Sequence, residues 1–161
     1  MSNFKLGFVI FPDLTQLDLT GPLQVLARLP DSTTFIVAKS ISPVPSDCGL
    51  SLVPTHTFAN CPALDLICIP GGVKGVIGAI GDRETVDFVR RQAGTAKYVT
   101  SVCTGAFVLG VAGLLKGRRA TTHGLTRNCC LWSARPMRRR GSCKTETCSP
   151  PEASPPASTS V

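Results

Sequence analysis

Tyr98-Val99-Thr100-Ser101-Val102-Cys103-Thr104-Gly105-Ala106 joins a strand pattern to a helix pattern through a single cysteine. The run from Lys97 to Val102 is rich in aromatic and β-branched residues and predicts a short strand. The run from Gly105 to Leu115 predicts a helix. Cys103 sits at the junction, with the small residues Ser101 and Gly105 two positions to either side. That is the pattern of a nucleophile elbow, with Cys in the place usually held by Ser. Such a turn puts a side chain at the C-terminal edge of a strand and at the start of a helix, where the open edge and the helix dipole favour a thiolate. The same residue also reads as a structural thiol, because free Cys is among the most buried residue types.

Working outward, Leu6 to Phe11 reads as a buried strand closed by Pro12-Asp13. Leu19, Leu23 and Leu26 follow at helical spacing, with Thr20 as N-cap and Pro22 in the first turn. Thr34 to Ala38 and Leu66 to Ile69 are further strands, the latter stopped by Pro70-Gly71-Gly72. Leu50 to Val53 is a strand that forms half of a hairpin begun near Pro43. Asp82 to Ala93 is an amphipathic helix with Val86, Val89 and Ala93 on one face. Short buried strands alternating with helices predict a mostly parallel central sheet in a three-layer α/β/α sandwich. Ligands of such sheets bind beyond the carboxyl ends of the strands. Asp13 to Asp18, Gly71-Gly72 and Cys103 all fall at such ends, so one cleft can hold them.

Composition narrows the classes. The chain has 161 residues, 43% of them hydrophobic, enough for one domain with its own core. Apolar runs are strand-length, so no transmembrane helix is expected. The N-terminus lacks a signal-peptide pattern, so the expected location is cytoplasmic. The net charge of +7 divides into +3 for residues 1–123 and +4 for residues 124–161. The basic excess therefore says little about partners of the main domain. The eight cysteines include no C-x-x-C pair, and Cys143 and Cys148 lack a nearby His. No metal is expected, and the missing export signal favours reduced thiols. Nothing matches a phosphate loop or a dinucleotide fingerprint, and no cofactor is expected.

A thiol nucleophile needs an acid/base partner and donors for developing negative charge. Asp18, between Leu17 and Leu19 just ahead of a helix, is the candidate partner. Partial desolvation would keep its carboxyl protonated and able to donate. A solvated aspartate at a helix start fits the sequence equally well. Backbone N–H groups at Gly71, Gly72 and Thr104 can hold negative charge. Gly71-Gly72 also reads as a plain loop. His56 and His123 are the two histidines, and neither lies next to the elbow.

Four segments, Phe8-Val9-Ile10-Phe11-Pro12, Leu17-Asp18-Leu19-Thr20-Gly21-Pro22, Ile69-Pro70-Gly71-Gly72 and Ser101-Val102-Cys103-Thr104-Gly105-Ala106, together resemble the ThiJ/PfpI superfamily, with its class I glutamine amidotransferase-like, flavodoxin-like fold. Asp13 to Leu29 and Val102 to His123 resemble the isonitrile hydratase branch of that superfamily. The resemblance implies addition of water to an isonitrile, giving an N-substituted formamide. It implies Cys103 as the nucleophile, Asp18 as the acid/base and Thr104 as a positioning residue for substrate or intermediate. It also implies a small-molecule substrate and a homodimer, with no nucleic-acid or membrane partner. Protease-like relatives often carry His after the nucleophile. Thr104 stands there in this chain, which argues against peptidase activity. Two other readings stay open: a different enzyme of the superfamily, amidase- or glyoxalase-like, and a ligand-sensing domain like those at the N-termini of AraC-type transcription regulators. The basic tail lacks the apolar periodicity of a helix-turn-helix.

The likeness covers residues 4 to 123 and stops at Gly124. Residues 124–161 lack Ile and Phe and carry Arg138-Arg139-Arg140 and two Pro-Pro pairs. They read either as a disordered basic tail or as a continuation out of frame. Asn128-Cys129-Cys130-Leu131-Trp132, with codons AAC TGC TGC CTC TGG after an A, reads Lys-Leu-Leu-Pro-Leu one frame earlier. On this reading the domain is incomplete, and the last strand and helices of the fold are missing. The gene sequence past codon 123 separates the two.

Overall fold

A computed structural model describes residues 3–122. The expectations for His123 and for residues 124–161 lie outside the described residues. In chain order the elements are β1 (Phe4–Val9), α1 (Gln16–Leu26), β2 (Ser32–Ala38), β3 (Val44–Pro45), β4 (Ser51–Leu52), β5 (His56–Thr57), β6 (Leu66–Ile69), α2 (Val73–Gly81), α3 (Arg83–Ala93), β7 (Tyr98–Ser101) and α4 (Ala106–Val111). A single 3₁₀ turn, Cys103–Gly105, joins β7 to α4.

Five strands form one parallel sheet in the order β5-β2-β1-β6-β7. The expected mostly parallel sheet with flanking helices is what the chain adopts. The β1–α1–β2 crossover runs to one side of β1, and the β6–α2–α3–β7 crossover runs the other way. Right-handed crossovers in opposite directions place their helices on opposite faces. Both faces of the central strands are therefore covered, and Leu6, Phe8, Val9, Ile67 and Ile69 are fully buried. Phe88 of α3 joins this core and stacks on Phe58 with ring centroids 4.4 Å apart. β1 and β6 are adjacent, paired Leu6 to Leu66 and Phe8 to Cys68. Their outgoing connections leave in opposite directions, which makes the crevice beyond their C-terminal ends the switch point of the sheet.

Three expectations are corrected. The first helix begins at Gln16 rather than after Thr20, with Thr15 as the N-cap residue. The cap is long-range: Thr15 Oγ1 donates to Asp47 Oδ2 at 2.8 Å, and the Gln16 N–H points to Asp47 Oδ1 at 3.4 Å. Pro22 then lies inside the helix, where it removes one backbone hydrogen bond. The helix after the elbow is α4, six residues long, instead of Gly105 to Leu115. The strand β5 and the helix α2 were not foreseen. The hairpin was, and it forms as β3 against β4, Val44 opposite Leu52. Among the described residues no helix is long and apolar enough to cross a membrane.

Candidate functional site

The ladder between β6 and β7 pairs Cys68 with Thr100 and Ile69 with Ser101. One more hydrogen bond, from Val102 N–H to the Ile69 carbonyl at 2.9 Å, carries it past the end of β7. The chain then reverses at Cys103, whose φ is +52°. A non-glycine residue in this left-handed region stores strain, and it persists only where the surroundings enforce it. They do so here: a Cβ on Gly105 would run into the carbonyls of Ile69 and Pro70. The small residue two positions after Cys103 is thus required by backbone-on-backbone packing.

Gly71 marks the centre of the site. A Cβ there would lie 2.5 Å from Asp18 Oδ2, 2.8 Å from Cys103 Cβ and 2.9 Å from the Thr104 amide nitrogen. Three groups predicted as functional, coming from α1 and from the elbow, thus converge on one glycine. The loop is fixed from both sides. Thr15 N–H donates to the Gly71 carbonyl at 2.9 Å, and Gly72 N–H donates to Thr104 Oγ1 at 2.9 Å. The Gly72 N–H expected to hold charge is thus engaged by that hydroxyl. Thr104 is buried, 2% exposed. Its hydroxyl and its backbone N–H both act to lower the Cys103 thiol. The influence of the glycine loop reaches the thiol through Thr104.

The expected thiolate is corrected. Burial pushes the Cys103 thiol above its ordinary value of 9.0. The charge of Asp18 and a hydrogen bond with its carboxylate push in the same direction, against the two hydrogen bonds from Thr104. Cys103 is thus held toward its thiol form, with Asp18 as a hydrogen-bond partner. The other core thiols are further from reactivity: burial raises Cys68 and Cys61 each to about 11.

His56 is not part of the site. It lies on β5 at the sheet edge and meets the Phe35 ring at 4.9 Å in an edge-to-face contact. Three contributors had escaped the sequence reading. Thr15 and Asp47 hold the start of the helix that carries Asp18. Thr122, 8% exposed, donates from Oγ1 to the Cys103 carbonyl at 3.0 Å. No local pattern marks these residues, because the contacts named here reach 19 to 56 positions along the chain. Among the described residues no cluster of three or more His, Cys, Asp or Glu is placed to hold a metal ion.

The model of the DJ-1/PfpI family matches residues 5–136. The chain is 58% identical over 119 residues to an isonitrile hydratase of Pseudomonas putida, covering 74% of this chain and 52% of that enzyme. It is 29% identical over 125 residues to the HTH-type transcriptional regulator GbdR of Pseudomonas aeruginosa, covering 74% of this chain and 34% of the regulator. A crystal structure of a ThiJ/PfpI family protein from Pseudomonas syringae superposes with a TM-score of 0.82 at 40% identity, over 90% of this chain and 61% of that one. The chain spans about half the length of the hydratase it matches.

Proposed function

We propose that this chain, which belongs to the DJ-1/PfpI family, adds water to an isonitrile to give an N-substituted formamide, with Cys103 as nucleophile and Asp18 as acid/base. The observation that carries this reading is the convergence of the Asp18 carboxylate, the Cys103 side chain and the Thr104 amide on Gly71. The likeness to the Pseudomonas putida hydratase supports the choice of substrate class.

The terminal carbon of an isonitrile must gain both a nucleophile and a proton. A thiol hydrogen-bonded to a carboxylate is suited to deliver the two together. Asp18 takes the thiol proton as sulfur bonds to the carbon, then returns it to that carbon, leaving a thioimidate. Asp18 next takes a proton from water as the water oxygen bonds to the same carbon, and passes that proton to the imine nitrogen. The C–S bond breaks as the hydroxyl oxygen becomes a carbonyl, and its proton returns to sulfur. One isonitrile and one water give one formamide, with no net oxidation and no co-reactant. The Thr104 N–H and hydroxyl stabilise negative charge on sulfur when it attacks and again when it leaves.

Incubating the purified protein with an alkyl isonitrile and following formamide by mass spectrometry tests the reading. Cys103→Ala should lower turnover by about 10³-fold or more while leaving the melting temperature near that of the parent. Unchanged turnover in that variant would sink the mechanism. The likeness to GbdR supports a second reading, a ligand-sensing domain. Saturable binding of a small molecule with no turnover would favour it. The expected homodimer belongs to the same proposal and is checked by light scattering.

A further inference from the structure

We propose that Thr122 is a positioning residue, which holds the Cys103–Thr104 peptide plane so that the Thr104 N–H is aimed at the sulfur. The two ends of this one peptide unit have separate partners. Its carbonyl, that of Cys103, accepts a hydrogen bond from Thr122 Oγ1 at 3.0 Å. Its N–H, that of Thr104, is the backbone group that pulls the Cys103 thiol down against burial. A peptide unit is planar, so fixing the direction of the oxygen fixes the direction of the hydrogen. A hydrogen bond accepted at the carbonyl also polarises the amide and strengthens what the N–H donates. The restraint matters here because Cys103 occupies the left-handed region, φ +52°, where the plane would otherwise relax toward ordinary geometry. Thr122 is buried, and its hydroxyl is out of competition with bulk water. It returns to the elbow from 19 residues downstream, so it acts as an outside brace rather than as part of the turn.

The groups facing the sulfur bound what a measurement would read. Asp18 from α1 is the charged neighbour named for it, and Thr104 supplies the two opposing hydrogen bonds. On strand β6, Cys68 also feels the Asp18 charge, and burial raises it to about 11. Loss of the brace therefore weakens the contact that opposes Asp18 and leaves Asp18 in place.

The test is the pH profile of iodoacetamide labelling at Cys103, followed peptide by peptide with the exposed Cys48 as internal reference. In Thr122→Val the Cys103 profile should move up by about half a pH unit, as for a weakened rather than deleted hydrogen bond, with Cys48 unmoved. Thr122→Ser keeps the hydroxyl and should retain the parent profile. Thr122→Ala supplies the same reading as Val should the valine variant not fold. A parent-like profile in Val or Ala overturns the proposal, as does a Ser variant shifted as far as they are. The readout is alkylation, so it stands apart from whether isonitrile is the substrate: a protein inactive on isonitriles can still show the shift.

Discussion

The pair β6–β7 has two ends that are held in different ways. At the N-terminal end, Asp65 receives the Lys5 N–H at 2.9 Å and the Lys97 ammonium at 2.9 Å, and its carbonyl accepts the Tyr98 N–H at 3.0 Å. Lys97 is largely exposed and also lies over the Phe4 ring. These contacts share one job, closing the edge of the sheet, and water can stand in for most of them. At the C-terminal end, each hydrogen bond fixes a different backbone atom: Thr15 holds the Gly71 carbonyl, Thr104 the Gly72 N–H, and Thr122 the Cys103 carbonyl. They are buried or partly so, and all of them bear on one sulfur. A strand pair can thus tolerate loose contacts where it only needs to stay paired, and cannot where it sets the position of a reacting atom.

The sharpest way to break the contrast is at Gly71. In Gly71→Ala the new methyl would overlap Asp18 Oδ2, Cys103 Cβ and the Thr104 amide. Two of these neighbours are backbone or the first side-chain atom, so the elbow and α1 must move apart. Overpacking of this kind costs about 1–3 kcal/mol. Misplacement by about 1 Å should lower formamide production by about 100-fold or more. Thermal melting and the isonitrile assay, run together, measure both. A variant with parent-like turnover would show that the convergence on this glycine is not used.

Thr104→Val comes next. The shape is nearly kept, but the buried Gly72 N–H loses its acceptor, at a cost of about 1–3 kcal/mol. The sulfur loses the hydroxyl contact while the backbone N–H remains. Turnover should drop by roughly tenfold, and chemical denaturation should show the stability loss. Equal activity with lowered stability would reassign Thr104 to holding the loop alone.

The smallest effect belongs to the other end. Asp65→Asn should cost below about 1 kcal/mol and leave turnover unchanged. The hydrogen bond from Lys5 N–H, and then Lys97, hold the Asp65 carboxyl below its ordinary value of 3.8. A carboxyl depressed by folding contributes stability above its unfolded value and loses it as the pH falls through the lower folded value. The difference in melting temperature between parent and variant should therefore be full at neutral pH and fade below pH 3.8. A change in turnover would mean that the two ends are coupled after all.

Which parts of this were legible in the sequence follows from how local their causes are. Leu66 to Ile69 read as a strand because four apolar residues lie between Asp65 and Pro70, and the structure places β6 on those residues. Cys103 and Gly105 read as an elbow because its steric demand falls on residues two apart. The start of α1 was misplaced because its cap comes from Asp47, across the hairpin. The helix α2, Val73–Gly81, carries three glycines and did not look helical. One of them, Gly75, packs directly on the Asp13 and Pro12 carbonyls, a requirement that lies in another segment. The protonated state of Cys103 was misjudged because burial is a property of the whole domain, and the motif records only the turn. Thr122 fell within the resemblance over Val102 to His123 but was given no role, since a hydroxyl reaching back 19 residues has no periodicity.

The hairpin β3–β4 carries a practical consequence. Its turn, around Asp47, is exposed, and exposed turns are where tags, labels and inserted sequences are usually placed with impunity. Here the turn supplies the carboxylate that seats the first residues of α1, and Asp18 lies two residues into that helix beyond Gln16. A graft at this surface would be felt at the thiol, as though the engineer had edited Asp18 itself.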